Sequence, residues 1–600
     1  MQVVREHRDD LISRVRVLTV VASGLLVAIA TGFWFVQLVQ GDYYRELAEN
    51  NRLRKLPIKA PRGLIYDRKG RLLVENVPSY NLMLDRSRAA DLARSLRFAS
   101  VVLARPPEEL QRLLAEYAAV PAFKPVLLAE NLTLSEVARF GVEGLEYPEF
   151  EVEVQHLRLY RHREQTAHLL GYLGEATQEE IDASKGAYQP GDLVGKKGIE
   201  QTYDQELRGT DGERVVVVDS RGELLQEYRR KPAVAGRKLQ LSIDLDLQQE
   251  AARWLDGPEK VGAVIAMDPR NGEILTLVSS PSYNPNLFAR RLQRADWQAL
   301  IDDPNHPLQN RAIQNTYSPG STFKIVMATA GLTEGIFNEH TSVLCTGAKV
   351  FYGRPFRCWR PGGHGVVNAH TAFKVSCDVY FYTLGQVMGI EKIARYAHLF
   401  GLGSRTGIDI SGEKRGLVPD PEWSLEARGH KWYPGETISV SIGQGPVLLT
   451  PLQMAEMTAL IANGGYRVIP HLVKDAKLPP PERVPLDEEA LRAVRGGMWA
   501  VVNEPGGTAY GSVRLPGVEI AGKSGTVQVI AYSQRLDPAH MPFKYRDHAW
   551  FTSFAPAADP EIVVTVFAEH GGGGSRVAGP IAQALYAKYF GIDNGKPPAP

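Results

Sequence analysis

From Val17 to Val39 the chain runs for twenty-three residues without a charged side chain. At about 1.5 Å of rise per residue, a helix of that length spans roughly 34 Å, enough to cross the hydrocarbon core of a bilayer. Phe33, Trp34, Phe35, Tyr43 and Tyr44 gather at one end, as an interfacial belt does. A cleaved signal peptide has an apolar core of about 7 to 15 residues closed by a small-x-small site, so the longer run reads as an uncleaved anchor. Arg5, Arg8, Arg14 and Arg16 precede it, and Arg45, Arg52, Arg54 and Lys55 follow. Arg14 and Arg16 touch the apolar edge, whereas Gly41-Asp42-Tyr43-Tyr44 separates the later charges from it. This places residues 1–16 in the cytoplasm and everything after Gln40 outside.

With 600 residues the chain exceeds a single core, and about 150 residues per domain gives two to four units. Lys+Arg 69 against Asp+Glu 68 leaves a net charge of +1 with no dominant basic run, so nothing points to nucleic acid. The organisation expected is a tail (1–16), a membrane helix (17–39), a mixed non-catalytic pedestal (40–237), a catalytic domain (238–592) and a disordered tail (593–600).

In the pedestal, Arg62 to Val74 reads as two short strands around a polar turn, and Thr133-x-x-Glu136 opens a helix with a capping box. The glycines of Gly195 to Gly212 lack the Gly-Lys-Ser/Thr of a phosphate loop and suggest a structural elbow. Near Leu239 the character changes. Leu239 to Asp246 reads as a strand, Leu247 to Leu255 as a helix, and Val261 to Met267 with Glu273 to Ser279 as a hairpin. Strands return at Lys523 to Ala531, His548 to Phe554 and Glu561 to Glu569, and a helix from Ala578 to Phe590 closes the domain. Strands at both ends with helices between predict one antiparallel sheet flanked by helices, an α+β fold.

Three short motifs carry the chemistry. After the Pro319-Gly320 turn, Ser321 lies near the N-cap of a buried helical run, with Lys324 at i+3 on the same face. That spacing brings the two Cβ atoms within about 5 to 6 Å, so a partly neutral lysine amine can take the serine proton. Ser411-Gly412-Glu413-Lys414 fits the same pattern, but Gly412 and Arg415-Gly416 place it in a turn. Ser376-Cys377-Asp378 follows Ser321 by 55 residues and starts the amphipathic helix Asp378 to Met388. Alone it means little, since Ser79-Tyr-Asn81, Ser242-Ile-Asp244 and Ser282-Tyr-Asn284 match too. Lys523-Ser524-Gly525-Thr526 opens a strand on which Gly525 allows close approach and free amides can meet an extended peptide.

In this order the three motifs resemble the active site of penicillin-binding proteins and their β-lactamase relatives. Ala60-Pro61-Arg62-Gly63, Asn310-Arg311-Ala312, Trp432 to Thr437, Gly443-Gln444-Gly445 and Thr450 to Ala455 extend the resemblance over nearly the whole chain, to the class B, monofunctional type. No Glu-Asp-x-x-Phe signature of a glycosyltransferase accompanies them. Aspartate at 378 and the overall length resemble the elongation type rather than the division type, which usually has asparagine there. The resemblance implies a membrane-anchored D,D-transpeptidase that cross-links peptidoglycan stem peptides through a serine acyl-enzyme and is acylated by β-lactams. Ser321 would be the nucleophile, Lys324 its base and Ser376 a proton relay, with Asp378 the least defined. Lys523 would attract the terminal carboxylate and help depress the Lys324 pKa. Ser524 and Thr526 would hydrogen-bond the carboxylate, and the N–H groups of Ser321 and Thr526 would hold the oxyanion. It also implies a polytopic SEDS-type glycosyltransferase of the RodA kind and other elongation-complex proteins as partners. Water as acceptor would make the enzyme a carboxypeptidase or endopeptidase instead. A penicillin sensor would need a signalling domain that sixteen cytoplasmic residues cannot hold.

All three cysteines fall within 33 residues, as Cys345-x12-Cys358-x5-His364-x12-Cys377. Three thiolates and an imidazole are the ligand set of a closed structural zinc site. The competing reading is a Cys345–Cys358 disulfide with a free Cys377 and His364 as a loop residue. Some elongation-type relatives carry a metal in this region, which favours zinc; the acyl transfer itself needs no cofactor.

Overall fold

The computed structural model describes residues 2–44, 53–122, 124–218, 224–290, 292–530 and 541–593. The proposed tail from Asn594 onward, the expected strand end at Ala531, and Arg45 and Arg52 lie outside them.

The chain divides into two compact units, residues 1–62 with 208–236, and residues 63–207 with 237–600. In the first, the helix Gln2–Trp34 continues as a π-helical turn Phe35–Val39. The segment Leu11–Val39 is long and apolar enough to cross a membrane, and none of it is buried within the protein. A three-stranded antiparallel sheet follows, with Leu53–Ile58 paired to Gly212–Val218 and that strand to Leu224–Lys231. Asp211 closes it by accepting from the Ala60 N–H and Lys59 Nζ.

In the second unit, Ile65–Tyr66 and Leu72–Leu84 are the two expected strands, and the latter pairs antiparallel with Phe150–Tyr160 from Val74↔Tyr160 to Leu84↔Phe150. A separate apolar core packs against the far end of this ladder, formed by Leu82, Leu84, Leu96, Leu110, Leu128 and Phe140 among others. The helix Leu134–Glu143 there starts with the capping box read from Thr133 and Glu136. The glycine-rich stretch after Gly195 is an elbow. A Cβ on Gly198 would meet the Leu169 carbonyl at 2.5 Å, and the fully enclosed Glu200 within it pairs with buried Arg158 at 2.7 Å.

The larger part of this unit is built on five antiparallel strands: β1 (Val261–Met267), β2 (Ile274–Ser280), β3 (Ala521–Val527), β4 (His548–Ala555) and β5 (Ile562–Glu569). Their order across the sheet is β2-β1-β5-β4-β3. Every residue of β1 is buried, as a strand covered on both faces requires. α3 (Pro451–Ala462) and α4 (Glu488–Asn503) pack on the sheet, α1 (Lys324–Thr333) packs on α4, and α2 (Asp378–Leu399) packs on α1. α3 is buried at all twelve positions and packs on β1, β4 and β5. The other face is covered by α5 (Gly574–Phe590) and the helix Leu245–Trp254. α2 loses helical geometry at Gly389 (φ 74°, ψ 162°), where the amphipathic segment Asp378 to Met388 ends.

Two elements differ from expectation. Leu239 to Asp246 forms only the two-residue strand Leu239–Gln240. The Ser242 hydroxyl donates to backbone carbonyls around Ile274 and Leu472, and Asp244 caps the next helix instead of continuing the ladder. β3 ends at Val527.

Candidate active site

Ser321 does not cap an α-helix. It sits in a 3-10 turn, Gly320–Phe323, and α1 begins at Lys324. Residues three apart eclipse in a 3-10 turn, so the tighter winding keeps Ser321 and Lys324 on one edge. The turn is wedged between two backbones. Gly320 (φ 56°) donates its N–H to the Gly443 carbonyl at 2.8 Å, and a Cβ at Gly320 would press Val527 Cγ2 at 2.9 Å. On β3, Gly525 lets the Pro319 carbonyl approach to 3.1 Å of where its Cβ would be. Gly525 therefore seats the Ser321 turn on β3, an edge strand of this sheet among the described residues.

Ser411 Oγ is bonded to Gln201, and the backbone N–H of Lys414 to Ile313; this second Ser-x-x-Lys lies in a bend, apart from the motifs.

Lys324 and Lys523 converge on one hydroxyl, that of Ser376. Ser376 Oγ accepts from Lys324 Nζ at 3.2 Å and from Lys523 Nζ at 2.9 Å. Lys324 Nζ also donates to the Ser376 carbonyl at 3.0 Å and forms a 2.6 Å ion pair with Asp378 Oδ1. Both lysines are fully buried, Lys324 5.3 Å from the centre of the Phe381 ring and Lys523 5.9 Å from that of Phe373. Burial first, and then the neighbouring Lys324 ammonium, push Lys523 well below the usual lysine value. Lys523 also donates to the Ser524 carbonyl at 2.9 Å, so its amine points inward at Ser376. Thr526 is exposed and its hydroxyl accepts from the Gly574 N–H; Ser524 Oγ lies 2.9 Å from Thr508 Oγ1.

Sequence reasoning missed two residues. Thr508, in the loop after α4, supports Ser524. Trp359 donates its backbone N–H to Asp378 Oδ2 at 2.9 Å. The only sequence signal for Trp359 is its place beside Cys358.

Cys345, Cys358, His364 and Cys377 come together with all four ligand atoms within 4.8 Å of one another, and no disulfide joins the cysteines. His364 Nδ1 lies 3.7 Å from Cys345 Sγ and 3.5 Å from Cys358 Sγ. Zinc bonds of about 2.0 to 2.3 Å give a tetrahedron with edges of about 3.3 to 3.8 Å, a range that holds both His364–thiol distances, so the donor set fits such an ion. A thiol hydrogen bond from Cys377 holds Cys358 below the usual thiol value, while Cys377 is raised by the same bond. This buried Cys3His cluster could hold a metal.

A serine–lysine pair, a second serine bridging two lysines and a Lys-Ser-Gly-Thr edge strand define a serine acyl-transferase of the penicillin-binding class. Residues 262–587 match the penicillin binding protein transpeptidase domain and residues 57–241 the penicillin-binding protein dimerisation domain. The chain is 37% identical over 575 residues to the peptidoglycan D,D-transpeptidase MrdA of Acinetobacter baumannii, covering 93% of this chain and 85% of the relative. It is 32% identical over 596 residues to MrdA of Escherichia coli, covering 96% and 93%. Among solved structures it is similar to Helicobacter pylori penicillin-binding protein PBP2 in complex with MreC, with a TM-score of 0.80, 30% identity and coverage of 90% and 99%. It is also similar to Pseudomonas aeruginosa PBP2 in complex with WCK 5153, with a TM-score of 0.68, 31% identity and coverage of 90% and 98%. The chain belongs to the class B penicillin-binding proteins, as a peptidoglycan D,D-transpeptidase of the PBP2 (MrdA) type.

Proposed function

We propose that this chain cross-links stem peptides during cell elongation, with Ser321 as the nucleophile. The observation that carries the assignment of roles is the bridging of Ser376 Oγ by the two buried amines, one of them three residues from Ser321. Ser321 Oγ attacks the penultimate D-Ala carbonyl, and the Lys324 amine, once it has passed a proton through Ser376 to Lys523, takes the serine proton. The N–H groups of Ser321 and Thr526 receive the oxyanion. Since Ser376 Oγ accepts from both lysines, its own proton is free to pass to the departing D-Ala amine, and a lysine replaces it. The C–N bond breaks, leaving an ester on Ser321. The amine of a second stem peptide then forms the new amide and returns the proton. Asp378 keeps Lys324 aimed at Ser376, and Ser524 and Thr526 bind the terminal carboxylate. β-Lactams acylate the same serine.

The segment Leu11–Val39 supports a single-pass anchor with the catalytic domain outside the cytoplasmic membrane. Capture of relatives with MreC and in a peptidoglycan synthase complex supports a place beside a RodA-type glycosyltransferase and other elongation proteins. Given uncross-linked glycan strands with pentapeptides, the purified anchored chain should yield cross-linked dimers and free D-Ala, both blocked by penicillin. D-Ala released without dimers would make water the acceptor and the enzyme a carboxypeptidase.

Cys345, Cys358, His364 and Cys377 would hold a zinc ion whose contribution is structural, fixing the loop that carries Cys358 to the start of α2. Elemental analysis of the purified chain should find close to one zinc per molecule, lost in Cys358→Ser. Absence of stoichiometric zinc from the unmodified protein overturns this assignment.

A further inference from the structure

We propose that Trp359 is a positioning residue for the acyl-transfer centre, and that its indole N–H holds the Ser376 turn in the shape the two lysines require. Ser376 has φ of +55°, a left-handed conformation costly for a residue with a Cβ and kept only where its surroundings hold it. Its N–H donates to the Phe373 carbonyl at 3.2 Å, which fixes the side of the turn facing the preceding helix. The other side is fixed by Trp359. The indole Nε1–H is shared between the Val375 and Ser376 carbonyls, at 3.1 Å each. The backbone N–H of the same residue reaches Asp378 Oδ2 at 2.9 Å. One residue therefore grips the motif before and after Cys377.

The two contacts act on the same amine. Lys324 Nζ takes the Ser376 carbonyl at 3.0 Å and Asp378 Oδ1 at 2.6 Å, and each of those groups is held on its far side by Trp359. Rotation of the Ser376 carbonyl would also carry Oγ away from Lys324 and Lys523. The hairpin of Ala348–Phe351 and Arg354–Arg357, which ends two residues before Trp359, is itself docked on α2, through Tyr382 Oη to the Arg357 carbonyl at 3.2 Å and Lys349 Nζ to Thr383 Oγ1 at 3.0 Å. The indole remains 59% exposed, so its N–H is committed to the turn while its ring contributes little to the core. A purely packing role would bury the ring instead.

The test is acylation by a labelled penicillin, resolved into the dissociation constant of the first complex and the first-order acylation constant. It is run on the full chain with Trp359→Phe and with β-(3-benzothienyl)alanine at 359, which keeps the ring shape and replaces N–H by sulfur. Loss of one hydrogen bond predicts about a tenfold fall in the acylation constant. The dissociation constant, metal content and melting temperature should stay close to those of the unmodified chain. An unchanged acylation constant overturns the proposal, as does a loss confined to the dissociation constant, which would make the ring a ligand platform. A parallel loss of metal or of several degrees in melting temperature would assign Trp359 to the fold alone.

Discussion

Replacing Ser321 with alanine is expected to abolish labelling by penicillin altogether, since no ester can form without the hydroxyl. The same change should leave thermal stability almost untouched. Ser321 is half-buried in a 3-10 turn that is held by Gly443 and β3 rather than by its own side chain. A substitution of that kind is worth within about ±0.5 kcal/mol. Mass spectrometry of the intact protein after penicillin treatment checks the first part and a melting curve the second. Covalent adduct on the alanine variant would move the nucleophile elsewhere, and Ser376 would be the residue to examine.

Asp378→Ala should lose both activity and stability. The carboxylate pairs at 2.6 Å with an amine that has no exposed surface. Removing one member of a buried pair leaves the other charge uncompensated, at a cost of about 3 to 5 kcal/mol. The freed Lys324 would also turn from Ser376, so acylation should fall by about a hundredfold or more. Asp378→Asn keeps the shape and one acceptor oxygen and should retain a larger share of both. Denaturant unfolding and acylation rates on the two variants separate the contributions. Equal stability of Asp378→Ala and the unmodified chain would show that the pair does not carry the charge balance assigned to it.

The parts of this molecule that were legible in the sequence are those whose cause is local. Val261 to Met267 reads as a strand because seven small or apolar residues stand together before a turn, and its observed bounds are the same. Thr133 and Glu136 form a capping box because both partners lie within one turn. The four metal-ligand candidates were legible from composition, since the chain has no other cysteine. What could not be read depends on partners distant in sequence. The inward aim of Lys523 follows from the position of Ser376, 147 residues earlier. Thr508 acquires meaning only beside Ser524, and Trp359 only beside the Ser376 turn. The 3-10 winding at Ser321 reflects the squeeze between Gly443 and β3, which no helical periodicity records.

The strand order also dictates when the enzyme can come into being. β1 pairs with β5 from Val261↔Glu569 to Met267↔Val563, a partner about 300 residues further along the chain. β3, with the Lys-Ser-Gly-Thr motif, is attached to the sheet only through β4, and β4 in turn through β5. As the polypeptide emerges, the β1–β2 hairpin must wait with an apolar edge unpaired until the last tenth of the chain arrives, a non-local closure that is slow and exposed to misassociation. Chains cut short before Ile562 would contain Ser321, Lys324, Ser376 and Lys523 and still possess no catalytic centre.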